Sequence, residues 1–419
     1  MLVNTSGTAN SNKFYEVEVV GDSVNARYGR VGAEGQRITY PGGQRKADSL
    51  IAAKKRKGYT EVAVIGSSSA SDVASAEVLR RSSHEALVAP QAKGDARVGE
   101  LIDLLVDQNR HSIATVSGGS ITVKSNGQVA TPLGVLAPSA VRQARTLLNQ
   151  MRADYPPVRV DLLENYLRLV PQNVGMKAGW QDRFLSNMAD FDAQATFLDQ
   201  LEASVDFAQT DEDARADFRY RLAPVDDAKV IADMQREYER SANARHGSVA
   251  RAKVSAVYTL SDATDAAARF DALSDSLGNV RTYWHGTRAF NVLSLLASGF
   301  KLPKTAGLVT TGAMFGNGVY FSKQSSKSAN YARGGVWSSG RDQRWFMLRC
   351  DVAMGRSFAP HKASGFTRSE RACDEILFGK GSKFDSIDVA AGTSGVINHE
   401  AITGKLDAIM PRYLVEFTG

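Results

Sequence analysis

Cysteine is scarce in this chain: only Cys350 and Cys373 occur among 419 residues. Two thiols exclude a disulfide-stapled scaffold and a cysteine-rich zinc site, and they fit a reducing compartment. No run approaches the roughly 18 consecutive apolar residues that a membrane span needs. The opening stretch, MLVNTSGTANSNK, lacks a basic segment followed by an apolar one, so no secretory signal is expected. Nucleotide-binding glycine motifs are missing too. Gly316-Asn317-Gly318 runs on into Val-Tyr-Phe with no third glycine, and no G-x-x-x-x-G-K-[ST] occurs, so neither a Rossmann site nor a P-loop is supported. The six histidines (84, 111, 246, 285, 361 and 399) show no metal-ligand spacing.

What is present is average in composition and uneven in charge. The chain is 43% hydrophobic and 23% charged, enough for two or three domains with cores of their own. Its net charge is +6. Ten basic residues against five acidic ones put +5 of that between Lys13 and Thr60. So local an excess is an electrostatic footprint for a polyanion such as nucleic acid, or else a solvated helix face.

Five regions follow from the patterning. Residues 1–12 are small and polar and read as a flexible tail. Residues 13–62 read as a compact β-rich module. Strands are expected at 14–20, 28–32 and 36–43, separated by glycine turns, and a basic helix from Ala47 to Lys57 is stopped by Gly58. Residues 63–92 include the Ser- and Ala-rich stretch 65–77 and read as a linker. Residues 93–222 carry helical stripes: Val98, Leu101, Ile102 and Leu105; then Val141, Ala144, Leu148 and Met151; then Leu162, Leu163, Tyr166, Leu167 and Val170 before Pro171. Leu185, Met188, Ala195, Leu198 and Leu201 add one or two more helices. Ser139 is a candidate N-cap, and the acidic run 211–217 reads as solvated surface. From 223 to 419, one helix near Val230–Ala242 precedes short β-like runs at 254–260, 282–286, 318–322, 345–355 and 412–417. The fold class expected is α+β multidomain: a small β-rich module, an all-α bundle and a β-rich C-terminal domain.

Three signals after residue 280 carry chemistry. Tyr283-Trp284-His285-Gly286-Thr287 places a polar ring beside a glycine that lets a ligand approach the backbone. Residues 316–322 and 326–332 offer Tyr320, Tyr331 and the Ser328 hydroxyl to a planar ring. Asn398-His399-Glu400 precedes the final strand. Taken singly, each reads as readily as core or surface.

In this order the three strings resemble the catalytic domain of the poly(ADP-ribose) polymerases, His-Tyr-Glu ADP-ribosyltransferases. The strings are His285-Gly286-Thr287, Met314 to Phe321, and Ser326 to Tyr331, with Glu400 before the last strand. The stretches 131–136 and 165–171 resemble the family's helical regulatory domain. Lys13 to Glu16, Gly29 to Gly32, Gly35-Gln36 and Lys57 to Tyr59 resemble a WGR domain. The resemblance implies a WGR-like DNA-binding domain at 13–62, a helical regulatory domain at 93–222 and an ADP-ribosyltransferase domain at 223–419. It implies that NAD is a consumed substrate, with no resident cofactor and no metal.

By carry-over, Glu400 acts at the nicotinamide ribose, and His285 and Tyr320 complete the catalytic set. Gly286, Ser328, Tyr331 and Tyr320 hold the nicotinamide half, Thr287 also binds NAD, and His285 also bonds the adenosine ribose. Asn291 and Lys301 are expected on the adenosine side. Tyr28, Arg30, Gln36, Lys54, Lys55 and Tyr59 are expected to grip a DNA nick or end with its 5′-phosphate. Protein acceptors, including the chain itself, are implied, and no membrane. A eukaryotic source would imply the nucleus; a bacterial or viral one, the cytoplasm with the nucleoid. Tyr28 stands where WGR domains carry tryptophan, Asn317 where a lysine is common, and Ala401 where tyrosine is common. Ala313 stands where an aromatic is common, and the stretch from Glu375 to Glu400 looks shorter than in the long polymerases; these two and Ala401, on the acceptor side, leave elongation and single transfer both open, while Tyr28 bears on DNA affinity. An inert DNA-end scaffold and a DNA-independent transferase remain alternatives.

Overall fold

The computed structural model describes residues 2–6, 11–30, 35–61, 84, 86–117, 121–123, 129–131, 134–136, 138–174, 179–208, 219–302, 314–333, 344–363 and 366–418. The serine-rich linker stretch, the acidic run, Val31-Gly32, Pro132-Leu133 and Ala313 lie outside them. The chain divides into two compact units. One is Met1–Arg81 with Asn109–Thr210; the other is Ser82–Gln108 with Asp211–Gly419.

The first unit opens with an antiparallel sheet. Its strands are β1 (Leu2–Ser6), β2 (Ser11–Val20), β3 (Ser23–Arg30), β4 (Gln36–Pro41) and β5 (Thr60–Glu61), in the order β4-β3-β2-β1-β5. The hairpin between β2 and β3 turns on Gly21-Asp22, with Gly21 at φ +57°, a value glycine adopts freely. The expected tail at 1–12 is corrected. Leu2 is 2% exposed, and β1 pairs with β2 from Leu2↔Tyr15 to Ser6↔Ser11. Its polar residues hide a strand whose anchor is one buried leucine and whose hydrogen bonds come from its neighbours. Helix α1 (Gly43–Lys55) begins four residues before the expected Ala47, because the Gly42-Gly43 pair that reads as a turn is its entry.

The helical region holds the C-terminal part of α2 (Ala96–Val116), then α3 (Pro138–Ala153), α4 (Val160–Leu169), α5 (Trp180–Phe184) and α6 (Met188–Ala208). The stripes are its core: Val141, Ala144, Leu148, Met151, Leu163, Tyr166, Leu167 and Val170 are at most 1% exposed. Met188, at the first position of α6, is 40% exposed and lies off that core. Ser139 is not the N-cap. The helix already begins at Pro138, whose missing N–H falls where a first-turn amide has no partner. Three short strands, β6 (Thr122–Val123), β7 (Val129–Thr131) and β8 (Gly134–Val135), form a small sheet between α2 and α3. Buried polar pairs run through this region. Tyr166 donates to Gln194 at 2.7 Å, and Arg145 donates to Asp199 at 2.7 Å and Glu202 at 3.1 Å.

The second unit is built on two sheets. β9 (Tyr220–Pro224), α7 (Ala228–Ser241), β10 (Lys253–Asp262), α8 (Ala266–Leu277), β11 (Val280–Gly286) and α9 (Ala289–Ser298) lead into β12 (Val319–Phe321) and α10 (Ser325–Ala332). β13 (Arg344–Ala353), β14 (Ser357–Phe358), α11 (Glu370–Phe378), β15 (Ser386–Val389), β16 (Glu400–Thr403) and β17 (Ile409–Thr418) complete it. The larger sheet has the order β11-β13-β17-β10-β9 and is antiparallel throughout; the smaller is β12-β16-β15-β14. Paired backbone bonds of 3.0 Å between Trp284 and Ser322 join them. Trp284, Trp345, Met347, Val415 and Phe417 fill the core under α7 and α10. This is the α+β, multidomain architecture expected.

Candidate active site

The seam between the two sheets gathers the C-terminal signals. β11 ends at His285-Gly286, and its neighbour across the Trp284–Ser322 bridge is the end of β12, which carries Tyr320. β12 pairs in turn with β16 through Phe321↔Ala401, the residue after Glu400. Helix α10 follows β12 directly, so Lys327, Ser328 and Tyr331 arrive at the same place.

His285 Nδ1 lies 2.9 Å from the Tyr320 carbonyl. A carbonyl only accepts, so Nδ1 carries the proton and Nε2 keeps a lone pair for a ligand hydroxyl. Burial pulls the imidazole down to about 4, so it stays neutral at physiological pH. The ring is set edge-on to Phe300 at 4.9 Å.

Gly286 is required by space. A Cβ there would fall 1.7 Å from the Ser328 carbonyl oxygen, well inside any tolerable contact. The bare backbone of β11 therefore lies against α10 at Ser328 with no room for a side chain between them. The Ser328 hydroxyl donates to the Trp284 carbonyl at 3.0 Å, which leaves its lone pairs to accept. Tyr331 is 41% exposed on the same helix, so part of its side chain is open to a ligand.

Tyr320 is fully engaged. Its hydroxyl donates to the Gly316 carbonyl at 2.8 Å and accepts from the Phe315 N–H at 2.9 Å. Burial drives the phenol far above its ordinary range, so it neither ionises nor shuttles protons. It fastens the turn 314–318, where Gly316 takes φ +87° and Asn317 donates its N–H to Asp374 at 2.6 Å.

Glu400 meets Lys327 in a buried ion pair; the two side chains are 13% and 10% exposed. Burial raises the carboxyl, the lysine opposes that, and burial lowers the ammonium. Lys327 also lies 5.6 Å from the centre of the Tyr331 ring. Lys327 is a residue of this candidate site that reading the sequence does not single out. Its only signal is its place one residue before Ser328 and four before Tyr331.

Thr287 and Asn291 lie together at the start of α9, with Asn291 Nδ2 3.5 Å from Thr287 Oγ1. Asn291 Oδ1 is buried without a hydrogen-bond partner among the described residues. Lys301 follows Phe300, half-buried.

In the N-terminal sheet the expected DNA residues fall into a cluster and a fringe. Tyr15 and Tyr28 stack at 5.7 Å. Lys54 reaches in from α1 to 4.1 Å from the Tyr15 ring, 5.3 Å from Tyr59 and 5.8 Å from Tyr28. Burial lowers this lysine and raises Tyr59. Gln36 is exposed opposite Tyr28 in the β3–β4 register, Arg30 ends β3 half-buried, and Lys55 is exposed on α1.

Residues 231–395 match the poly(ADP-ribose) polymerase catalytic domain, and residues 1–64 match the WGR domain. In both stretches the chain resembles the poly(ADP-ribose) polymerase family. It is 23% identical to human poly(ADP-ribose) polymerase 2 over 393 residues, which covers 85% of this chain and 65% of that protein. Against Arabidopsis thaliana poly(ADP-ribose) polymerase 2 it is 25% identical over 397 residues, 85% of this chain and 60% of the relative. Against chicken poly(ADP-ribose) polymerase 1 it is 26% identical over 255 residues, 57% of this chain and 24% of the relative. The chain thus spans less than two thirds of the length of each. The polymerase catalytic match stops before Glu400, whose place comes from the fold: the residue pairs with Val389 on β15 and bonds Lys327 on α10. Among the described residues no helix is long and apolar enough to cross a membrane.

Proposed function

We propose that the chain is an NAD-consuming ADP-ribosyltransferase stimulated by DNA breaks. One observation carries this reading. A buried carboxylate, a neutral histidine, an obligate glycine, an accepting serine and a half-open tyrosine converge on one seam between two sheets. Breaking the bond between nicotinamide and ribose builds positive charge on the ribosyl carbon, as in glycoside hydrolysis. A preorganised carboxylate stabilises that charge most where water is excluded. Glu400 supplies it, accepting a hydrogen bond from the ribose 2′-hydroxyl while Lys327 keeps it in place.

The backbone of Gly286 and the lone pairs of Ser328 fit the nicotinamide carboxamide, and the Tyr331 ring fits the face of the pyridine. Tyr320 acts by fastening the turn beside the pocket. His285 Nε2 accepts from the adenosine ribose, so His285 positions NAD rather than moving protons. Thr287, Asn291 and Lys301 line the adenosine end, where the Asn291 oxygen, unpartnered among the described residues, suits a ligand donor. Nicotinamide departs with the bonding electrons, and an acceptor nucleophile on a protein, this chain included, bonds to the same carbon and gives up its proton.

The WGR domain supports a grip on a nick or end. Tyr28, Tyr59 and Lys54 form a patch that can stack on a sugar and meet a phosphate, with Arg30, Gln36 and Lys55 around it. The helical region then restrains catalysis until DNA favours a state in which it is loosened. Such a protein works wherever NAD and damaged genomic DNA meet, in a nucleus or a nucleoid.

The test is a gel. The full chain is incubated with NAD labelled in its adenylate, with and without nicked, 5′-phosphorylated duplex. Label should enter protein, faster with the duplex, and a ladder or a sharp band reports product length. No transfer under either condition overturns the reading.

A further inference from the structure

We infer that His399 is a positioning residue that fixes Glu400 for the reaction. The inference rests on the transferase reading of the cleft. His399 immediately precedes Glu400 and is 5% exposed, and each of its four hydrogen-bonding groups is engaged. Its backbone N–H donates to Gln324 Oε1 at 2.6 Å, and its carbonyl accepts from the Ser322 hydroxyl at 2.8 Å. Ring Nδ1 accepts from the Lys323 N–H at 3.2 Å, and Nε2 lies 2.9 Å from Asp388 Oδ1. The tautomer follows: an amide N–H can only donate, so Nδ1 is bare and the proton sits on Nε2, pointing at the carboxylate. The hydrogen bond from His399 holds Asp388 below the usual carboxylate range. The ring also stacks on Tyr283, 5.5 Å away and 29° from parallel.

These contacts tie down three pieces of the cleft. Tyr283 lies two residues before His285 on β11. Ser322, Lys323 and Gln324 join β12, with Tyr320, to α10, with Lys327 and Ser328. Asp388 lies on β15, opposite Ala401, the residue after Glu400. One buried residue, through its backbone and its ring, therefore sets where β16 begins relative to these site elements. Such a residue touches no reacting atom and acts on the reaction by placing Glu400, because reacting groups lose rate steeply when displaced by an ångström.

The experiment follows the Glu400 carboxyl directly. The full chain is labelled at the glutamate δ-carbon, and its ¹³C resonance, assigned with Glu400→Gln, is titrated in wild type and variants. Glu400 is faced by Lys327 and Tyr331 from α10, Tyr320 from β12 and His399 itself. In His399→Ala the carboxyl should leave its wild-type titration as the strand end loosens, because the burial that raises it and the Lys327 and His399 contributions that lower it all change. His399→Asn keeps an acceptor for the Lys323 N–H, and His399→Gln keeps a donor to Asp388. Each should restore part of the shift, and both remain readable should the alanine variant fail to fold.

Nicotinamide release should fall about 10- to 100-fold in kcat for His399→Ala. KM for NAD should stay within about twofold, the mark of an interaction made in the transition state. On a Glu400→Gln background the same change should cost nothing further. A moved titration in a protein that releases no nicotinamide sustains the positioning and removes the transferase reading. An unmoved Glu400 titration, or an equal loss on the Glu400→Gln background, overturns the proposal.

Discussion

At position 286 the structure leaves no room for even a methyl group. A Cβ would lie 1.7 Å from the Ser328 oxygen, and that oxygen belongs to backbone that cannot swing aside. Gly286→Ala should therefore push β11 and α10 apart, costing about 1–3 kcal/mol of stability. Nicotinamide affinity should fall with it, and calorimetry and thermal unfolding measure the two together. His285 gives a pH signature. Folded, it titrates at about 4 against an ordinary 6.5. As pH falls the unfolded chain takes up the proton first, so stability is lost between pH 6.5 and about 4. His246, lowered by burial, acts in the same direction; Glu400, raised by burial, acts against it. Urea unfolding at pH 7 and pH 5 should show a smaller acid loss in His285→Gln than in wild type. His285, Tyr320 and Glu400 are legible in the sequence because each sits in a short string beside glycine or just before a strand. Lys327 and His399 are not. Their partners lie 73 and 76 residues away, and only the fold brings Glu400 to Lys327 and Lys323 to His399.

Elements that carry continuous apolar runs are plain in the sequence, and those made by pairing are not. β10, β13 and β17 read as strands because their inward positions are almost all apolar. β1 reads as a tail because its strand character comes from β2 and β5 on either side of it. The helical stripes read correctly because α3 and α4 repeat their apolar residues at helical spacing, whereas the polar pairs that cross that core leave no periodic trace. In the WGR sheet, Lys54 sits among three tyrosine rings on a half-buried site. A cation there can meet a phosphate while the rings meet a sugar. Lys54→Ala should weaken binding to nicked duplex and lower the slope of log affinity against log salt by about one, since one fewer phosphate is neutralised. Fluorescence anisotropy at several salt concentrations measures both. An unchanged slope would remove Lys54 from the interface.

The whole molecule comprises a basic N-terminal sheet, a helical region whose apolar core is crossed by polar pairs, and a two-sheet domain whose seam gathers the candidate site. In the proposed function the local excess of positive charge and the buried carboxylate are separate devices, one for a polyanion and one for a developing cation. The account stands or falls on the second. Its most direct measurement is release of nicotinamide from NAD labelled in the pyridine ring, by wild type and Glu400→Gln side by side, with NAD affinity determined for each. The account predicts steady release by wild type and a loss of about 100-fold or more in the variant, at nearly unchanged affinity. Release by Glu400→Gln at the wild-type rate would contradict it.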